Sequence, residues 1–340
     1  MKTNEQTPAA PWLTVGIAAY NNEAYISKAM QSVLKQVDDR VLLIVVNDGS
    51  RDSTLERIQE VVRGCDPQVQ QRITVIDQPN AGVSKVRNLA IERSDTPYIT
   101  FLDGDDYWLD HYYQSILSLA KDVDTLDVDI IEYNAQEHRQ QPGSNQVEHK
   151  VLNLNPIGNY RGKVEPEHLR KIFTHSKWYI WTRIFKRTLF DGLRFPENLS
   201  YEDIMLIPQL YLHAERILTT EQPLIAYRIN LSGQVVNPTQ KTIKDIESII
   251  EIHLELSRQQ QDDVKKKLLV LLACQSALYY KIVTNMRNGY IKSLTDINRV
   301  LNKIKPFKKE YDVELPFKTQ LLFTSPLASN FYTFLKTRTK

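Results

Sequence analysis

The sequence predicts an α/β fold: a mostly parallel central sheet with helices on both faces, followed by a C-terminal helical basic extension. The first observation is a set of short, continuously apolar segments, such as VLLIVVN at 41–47. The second is that segments with helical periodicity separate them, which is typical of a parallel sheet covered on both faces. The third is that Asn and Asp follow most of these apolar segments. Ligands of such sheets bind outside the carboxyl ends of the strands.

The first 130 residues carry this alternation in order. Four apolar segments predict strands, and apolar residues at helical spacing predict a helix after each of the first three. The stretch 136–160 is polar and predicts a loop or an insertion. From residue 239 to about 304 the pattern is helical. The predicted strands are 13–18, 41–47, 73–77 and 98–102.

Charge is distributed unevenly along the 340 residues. The whole chain has 43 Lys and Arg against 41 Asp and Glu, which excludes nucleic-acid binding by bulk charge. Residues 264–340 alone have 15 Lys and Arg against 4 Asp and Glu. We therefore predict two parts, a catalytic domain at 1–235 and a helical basic region at 236–340. Two cysteines are too few for a disulfide framework or a zinc site.

The strongest local signal is the sequence Asp103-Gly104-Asp105-Asp106 after the fourth strand. Three carboxylates within four residues repel one another unless a cation or hydrogen-bond donors compensate them. Oxygen ligands of this kind suit Mg²⁺ or Mn²⁺, which in turn bind diphosphates. The alternative is a turn, because Asp-Gly is a common hairpin signal.

Other polar residues allow two interpretations each. Asp48 could accept hydrogen bonds from a nucleobase or a ribose, or could belong to a turn before a helix. Glu202 and Asp203 could supply a general base, or could occupy the favourable first turn of a helix. Arg87 could reach a phosphate, although an arginine on a helix is usually solvated.

Six segments in order resemble the family 2 glycosyltransferases of the GT-A fold. Together they cover about residues 12–230, and the order and spacing make the resemblance specific although no single motif does. One departure is Ala18, where the family often has proline. The segments are VGIAAYNNEAYISKAMQSVLKQ, VVNDGSRDST, NAGVSKVRNLAI, YITFLDGDDYW, WTRIFKRTLF and GLRFPENLSYEDIMLIPQL.

The resemblance implies a role for each matching residue. Asp103 and Asp105 match the D-x-D motif, in which the first acid lies near the ribose or metal and the second ligates Mn²⁺ or Mg²⁺. Asp203 matches the expected general base, and Glu202 stands beside it. The other matching residues would line the nucleotide-sugar site, with Asp48 reading the base; they are Tyr20, Asn21, Glu23, Asp48, Arg87 and Asn88.

The resemblance also implies an activity. It is the metal-dependent transfer of a hexose, with inversion, from a nucleotide-diphosphate donor, expected to be a UDP-sugar. The acceptor would be a hydroxyl of a glycan or glycolipid in bacterial surface polysaccharide or lipooligosaccharide synthesis. A non-catalytic relative that binds a sugar nucleotide or glycan is the alternative. A dinucleotide dehydrogenase would need Gly-x-Gly-x-x-Gly after the first strand, where AAYNNEAY stands. Two further enzyme classes are a phosphatase with an Asp nucleophile and a nucleotidyltransferase. The positions of the acids and glycines in this sequence fit both of them less well than they fit a glycosyltransferase.

The basic C-terminal residues suggest a surface contact. Residues 306–340 combine Lys and Arg with aromatic and leucine side chains and are interrupted by Pro306, Pro316 and Pro326. Such a segment could dock peripherally on an anionic membrane, could mediate self-association, or could be an ordinary helical subdomain. The longest apolar run, 268–280, is too short to span a bilayer. We expect a cytoplasmic protein, peripheral on the inner face of the cell membrane.

Overall fold

The computed structural model describes residues 10–140, 147–175, 177–229 and 238–338. The chain forms two compact units. The first comprises Met1–Val164, Lys177–Asn198 and His213–Ile229, and the second Glu165–Ser176, Leu199–Leu212 and Asn230–Lys340. Two short segments that precede residue 236 therefore belong to the unit that contains the C-terminal helices. The proposed division at residue 235 stays a prediction.

The amino-terminal half of the first unit follows the predicted alternation closely. Its strands are β1 Leu13–Ala19, β2 Val41–Asp48, β3 Ile73–Gln78 and β4 Tyr98–Asp103. Its helices are α1 Ile26–Leu34, α2 Thr54–Arg63, α3 Pro67–Gln70 and α4 Val83–Arg93. β1, β2 and β4 are almost wholly buried, which is why their sequences are continuously apolar.

The rest of the first unit adds strands to the same sheet. They are β5 Tyr107–Trp108, β6 Ile130–Gln140, β7 Val147–Leu152, β8 Tyr160–Lys163, β9 Arg183–Lys186 and β10 Arg216–Arg228, with helix α5 Tyr112–Ala120 between β5 and β6. The polar stretch 136–160 was predicted as a loop or an insertion, and a loop is wrong for the described residues other than 153–159. It contains the end of β6, all of β7 and the start of β8. β7 is almost wholly exposed, so its sequence lacks the buried apolar face from which a strand could have been predicted.

The sheet has the order β3-β2-β1-β4-β9-β6-β10-β5, with β7 paired to β6 and β8 to β10. The first four strands are all parallel. Antiparallel β9 then joins β4 to β6, and β6 pairs in parallel with β10. In register, Ala18 of β1 faces both Val46 of β2 and Asp103 of β4. The loops after these strands therefore leave the same edge of the sheet.

A buried ion pair lies where β9 meets β6. Arg183 donates to Glu132 over 2.6 Å, and both side chains are fully buried. Arg183 also donates to the backbone oxygen of Tyr179 over 2.6 Å. A buried pair is stable only when additional hydrogen bonds satisfy the remaining polar atoms. Here those bonds join the segment before β9 to the sheet.

The described part of the second unit is helical. Its helices are α6 Pro166–His175, α7 Glu202–His213, α8 Gln240–Gln259, α9 Asp263–Asn288, α10 Ser293–Glu310, α11 Phe317–Thr324 and α12 Pro326–Arg338. α9 is long and apolar enough to cross a membrane by length and composition, but 78% of its most apolar window is buried inside the protein. Burial of this extent is also what the central helix of a packed helical unit shows, so α9 is weak evidence for a span. The prediction of helices from 239 to 304 is confirmed.

Residues 306–338 are more regular than their prolines suggested. Pro306 lies inside α10, Pro316 directly precedes α11, and Pro326 is the first residue of α12. The last two positions tolerate proline because the first turn of a helix has unpaired N–H groups in any case. The predicted α/β class with a helical C-terminal extension is confirmed.

Candidate active site

The loop after β1 is tied to the loop after β2 by reciprocal hydrogen bonds. The N–H of Asn21 donates to Ser50 Oγ over 3.0 Å, and the N–H of Arg51 donates to Asn21 Oδ1 over 2.9 Å. Glu23 repeats the pattern, because its Oε2 accepts from the N–H of Ser53 over 3.0 Å. Asn21 has a positive φ of 53°, a conformation that asparagine tolerates better than most residues. Tyr20, beside it, is 44% exposed.

Asp48 organises the loop between β3 and α4. It is buried, and its Oδ1 accepts from Gln78 Nε2 over 2.7 Å and from the N–H of Ala81 over 2.9 Å. Its Oδ2 accepts from Asn80 Nδ2 over 3.0 Å and from the N–H of Gly82 over 2.8 Å. These four donors match the roughly four lone-pair sites of a carboxylate. Its assignment as the residue that reads the base stays a prediction.

Arg87 and Asn88 are buried residues of α4 with different partners. Arg87 Nη2 lies 3.0 Å from Asp103 Oδ1, so the structure brings these two predicted residues together. Asn88 Nδ2 donates to the backbone oxygen of Phe195 and Asn88 Oδ1 accepts from its N–H, each over 2.9 Å. Asn88 thus holds the segment at Phe195 in place. Direct contact of either residue with a nucleotide stays a prediction.

The turn after β4 passes very close to the loop after β1. The N–H of Gly104 donates to the backbone oxygen of Ala18 over 2.9 Å. A Cβ atom at Gly104 would lie only 2.8 Å from Asn22 Oδ1 and 2.9 Å from that same Ala18 oxygen. The glycine therefore permits the close approach that positions the acids on either side of it.

The three acids of this turn have different surroundings. Asp103 and Asp105 are half-buried, whereas Asp106 is fully buried. Asp106 Oδ1 accepts from the N–H of Arg228 over 2.8 Å, and its Oδ2 has no hydrogen-bond partner among the described residues. Burial, with added repulsion from Asp105 and Asp103, raises the pKa of Asp106 well above its usual range.

Asp103 and Asp105 fit part of a divalent-cation site. No group of three or more His, Cys, Asp or Glu side chains in the described ranges is arranged to hold a metal ion. Mg²⁺, however, is usually bound by one or two carboxylates together with substrate phosphates and water. Two half-buried carboxylates at the end of a strand match that incomplete set. They fit an ion that arrives with a phosphorylated substrate.

Beyond this turn, Tyr107 is surrounded by basic side chains. Lys28 Nζ lies 3.7 Å from the centre of the Tyr107 ring, and Arg228 Cζ lies 4.7 Å from it. The Tyr107 hydroxyl is hydrogen-bonded to His138 Nδ1. Burial lowers the pKa of His138 to about 4, with smaller effects from His149, Lys28 and Arg228. At neutral pH the positive charges of this group are therefore those of Lys28 and Arg228.

Glu202 and Asp203 belong to the second unit, where they form the first turn of α7. Both are half-buried. The residue before them, Tyr201, has a φ of 62°, which is a strained conformation for a bulky side chain. Its ring packs edge-to-face on Tyr279 at 5.1 Å. Strain of this kind persists only where the surroundings enforce it, so the start of α7 is held in a defined position.

The sequence pattern did not reveal Lys28, Tyr107 or Arg228. Arg228 contacts residues about 120 positions earlier in the chain, through the pairing of Ala226 in β10 with Tyr107 in β5. No periodicity reports a contact of that range. The only available signal was the position of Tyr107 directly after the acidic turn.

The sequence also matches a known protein family. The model described as "Glycosyl transferase family 2" matches residues 14–189, just over half of the chain. The match covers β1 to β4, the acidic turn and β9. The chain belongs to glycosyl transferase family 2.

Curated relatives from several bacteria are consistent with this family. The chain is 27% identical over 244 residues to the putative glycosyltransferase EpsH of Bacillus subtilis, covering 70% of this chain and 65% of EpsH. It is 29% identical over 224 residues to the glycosyltransferase GlyA of Streptococcus pneumoniae, covering 64% of this chain and 30% of GlyA. The chain thus spans less than two thirds of the length of either relative.

Solved structures show the same fold. TarS 1-349 of S. aureus, in complex with UDP-GlcNAc, superimposes with a TM-score of 0.69 at 20% identity, covering 94% of this chain and 88% of TarS 1-349. The mannosyltransferase PcManGT of Pyrobaculum calidifontis, in complex with GDP-Man and Mn²⁺, gives 0.55 at 14% identity, covering 96% and 88%. At these identities the likeness shows the fold alone. The predicted GT-A type fold is confirmed.

We expect Gly104→Ala to disturb the acidic turn, because its Cβ would overlap Asn22 and the Ala18 carbonyl. Such overpacking typically costs about 1–3 kcal/mol of unfolding free energy. A suitable control is Gly64→Ala, since Gly64 has right-handed helical dihedrals and its Cβ would meet only ordinary contacts at 3.5 Å. Chemical denaturation measures both variants. A Gly104→Ala protein as stable as Gly64→Ala would show that the turn is not tightly packed.

Proposed function

We propose that this protein is an inverting glycosyltransferase that moves a hexose from a nucleotide-diphosphate donor to a hydroxyl group of an acceptor. The observation that carries the proposal is the acidic turn at the carboxyl edge of the parallel strands, in a chain of family 2. There Asp103 and Asp105 flank a glycine that packs directly on the loop after β1. A UDP-sugar is the donor to test first, because TarS has the same fold and was solved with UDP-GlcNAc.

Asp105, with Asp103, would hold Mn²⁺ or Mg²⁺. A bound divalent cation stabilises the negative charge that develops on a leaving diphosphate. Asp103 also pairs with Arg87, which fixes the direction of its carboxylate. The loops of Tyr20, Asn21 and Glu23, and the loop organised by Asp48, would bind the nucleoside portion of the donor.

Asp203 would act as the general base, with Glu202 supporting the acceptor site. The acceptor hydroxyl gives its proton to the Asp203 carboxylate while its oxygen forms a bond to the anomeric carbon. The bond from that carbon to the diphosphate oxygen breaks, and the nucleoside diphosphate leaves with the electron pair. Attack from the face opposite the leaving group inverts the configuration, and no covalent enzyme intermediate is needed.

We propose a role in bacterial surface polysaccharide or lipooligosaccharide synthesis, and one relative supports the synthesis of a bacterial polymer more generally. That relative, 32% identical over 124 residues, is the teichoic acid poly(glycerol phosphate) polymerase of Staphylococcus epidermidis. That match covers 36% of this chain and 17% of the polymerase. We propose a glycan or glycolipid hydroxyl as the acceptor. A non-catalytic binding protein of the same fold is the alternative, and it would release no nucleoside diphosphate from any donor.

We expect Asp105→Ala to abolish Mn²⁺-dependent turnover of the donor while the fold is retained. The donor is identified first by thermal shift with a panel of nucleotide sugars, since a ligand stabilises the native state by RT ln(1+[L]/Kd). Asp95→Ala is the matched control, because Asp95 is an exposed acid just before β4, the strand that leads into the acidic turn. Near-normal activity of Asp105→Ala would exclude Asp105 as a metal ligand.

We expect Asp203→Asn to lower the transfer rate by about 10²–10⁴-fold, the usual contribution of a general base. The free energy of unfolding should fall by no more than about 0.3–1 kcal/mol, the usual contribution of an acid in the first turn of a helix. Asp262→Asn is the control, since Asp262 caps α9 in the same unit by accepting from the N–H of Lys265. If Asp203→Asn transfers sugar as fast as Asp262→Asn does, the base is a different residue.

We also propose that the C-terminal helices dock on an anionic membrane from the cytoplasmic side. One face of α12 exposes apolar side chains at intervals of four residues: Leu327, Phe331 and Leu335 are 64%, 61% and 49% exposed. Phe317 of α11 is 69% exposed and packs edge-to-face on Tyr332 of α12 at 6.1 Å. We call these four exposed residues the apolar face of α11 and α12.

Charge favours an anionic bilayer as the partner of this face. Residues 315–340 contain four Lys and Arg and no Asp or Glu. Basic residues near an anionic surface each contribute about 1 kcal/mol of attraction, and aromatic and leucine side chains can enter the interface. Other apolar residues of this region, namely Phe307, Val313, Leu322 and Phe323, are buried. The contact therefore involves less of 306–340 than the sequence suggested.

We expect the full chain to co-sediment with vesicles that contain phosphatidylglycerol, and less so as salt is raised. The double variant Leu327→Ser/Phe331→Ser should lose this binding. Truncation at Lys305 is a poorer test, because it would cut α10 before the buried Phe307. Ile252→Ser/Val264→Ser is the control, since both residues are exposed apolar side chains of the same unit.

Two outcomes would contradict docking on a membrane. One is negligible sedimentation of the unaltered chain at low salt. The other is that light scattering shows an oligomer for the unaltered chain and a monomer for Leu327→Ser/Phe331→Ser, while both proteins bind vesicles equally. That result would assign the apolar face to self-association.

A further inference from the structure

The start of α7 is held by residues of α8 and α9, which belong to the same compact unit. Asp245 of α8 accepts a hydrogen bond from the N–H of Ser200 over 2.9 Å. Tyr279 of α9 packs edge-to-face on Tyr201, with the ring centres 5.1 Å apart. Ser200 and Tyr201 directly precede α7, whose second residue is Asp203. Both contacts therefore act within three residues of the proposed general base.

The backbone before α7 has a conformation that requires support from outside the segment. Asn198 and Tyr201 both have a positive φ, of 61° and 62°. Asparagine tolerates this region, whereas a bulky tyrosine is strained in it. Strain of this kind persists only where the surrounding structure enforces it. Asp245 holds the residue before Tyr201, and Tyr279 holds the ring of Tyr201 itself.

Asp245 lies on the buried face of α8, between Ile243 and Ile246. A buried charge is costly unless it is paired and hydrogen-bonded. Lys241, one helical turn earlier, donates over 2.5 Å to Asp245 Oδ2, the same oxygen that accepts from Ser200. Burial by itself would raise the pKa of Asp245, but hydrogen bonds from Lys241 and Ser200 outweigh this effect and the pKa lies below its usual range. The carboxylate is thus ionised at neutral pH, and a hydrogen bond to an ionised acceptor is short and strong.

We propose that Asp245 is a positioning residue for the transfer reaction: it fixes the segment 200–201 and thereby the position of Asp203 in the first turn of α7. This role rests on the proposed function, in which Asp203 is the general base. A base must lie within hydrogen-bond reach of the proton that it takes. A displacement of about 1 Å can lower a rate by about 10²-fold. The helical extension thereby contributes to catalysis through a residue that need not contact the substrate.

Hydrogen exchange at the Ser200 amide tests this contact without an activity assay. Asp245→Ala removes the acceptor, so exchange should become about 10- to 10²-fold faster, the usual effect of losing a hydrogen bond to a charged group. Glu247→Ala is the matched control, because Glu247 is also an acid of α8 but pairs with Arg299 and Lys303 of α10. Mass spectrometry with fragmentation to single residues measures the rates. If Asp245→Ala does not fold, Asp245→Leu is measured instead, since an apolar side chain of similar volume is often tolerated in place of a buried charge.

The kinetic constants test the role in transfer. Asp245→Ala should lower kcat by about 10- to 10²-fold and leave the KM of the donor unchanged, because it displaces a group that acts in the transition state. Asp245→Asn keeps an oxygen that can accept from the N–H of Ser200, and it should recover most of kcat. Glu247→Ala should have a normal kcat. All rates are measured well below the melting temperatures of the variants, so that loss of folded protein does not lower them.

A double variant shows whether Asp245 acts through Asp203. Once Asp203→Asn has removed the base, Asp245→Ala should lower the rate little further, whereas independent effects would multiply. The proposal is overturned by unchanged exchange at Ser200, by a kcat equal to that of Glu247→Ala, or by effects that multiply in the double variant. A normal rate in Asp203→Asn contradicts the proposed function instead, and exchange at Ser200 still shows whether Asp245 holds this segment.

Discussion

The candidate site depends on the parallel pairing of β1 with a strand on each side. Because the register places Ala18 beside both Val46 and Asp103, the loops after β1, β2 and β4 emerge together. A shift of one residue would turn every side chain of the strand to the opposite face of the sheet. Six of the seven residues of β1 are buried, on both faces of the sheet. Such a shift would place each side chain among neighbours that are packed around a different one, and it is therefore strongly disfavoured.

The loops at this edge are held mainly by hydrogen bonds, since they have little apolar surface to bury. Asn21 and Glu23 each exchange hydrogen bonds with the loop after β2, and Asp48 accepts from four donors at the end of β3 and in the loop that follows it. A hydrogen bond to an ionised carboxylate is roughly twice as strong as a hydrogen bond between neutral groups. The polar residues that the family resemblance assigns to nucleotide binding thus also stabilise the loops that form the site. A substitution at Asp48 would therefore change both binding and loop geometry.

The parts of the fold that could be predicted from sequence are those set by local patterns. β1 to β4 were predicted to within one residue at their ends. Three of them, β1, β2 and β4, are buried parallel strands, whose sequences are continuously apolar. β7 was missed because it is exposed, and the pairs Arg87–Asp103 and Asn88–Phe195 because no periodicity reports contacts across the fold. Arg228 was missed for the same reason. The site residues were predicted from the family resemblance, which assigns each of them a role but does not show which residues surround it.

The surroundings change how the acidic turn is understood. Three adjacent carboxylates suggested a cation because their repulsion must be compensated. In the structure Arg87 pairs with Asp103, and burial raises the pKa of Asp106, so repulsion alone no longer requires a metal ion. The argument for a metal therefore rests on Asp105 and on the phosphorylated substrate that would complete its coordination. A site that is incomplete without its substrate would bind the cation weakly by itself and more tightly together with a diphosphate.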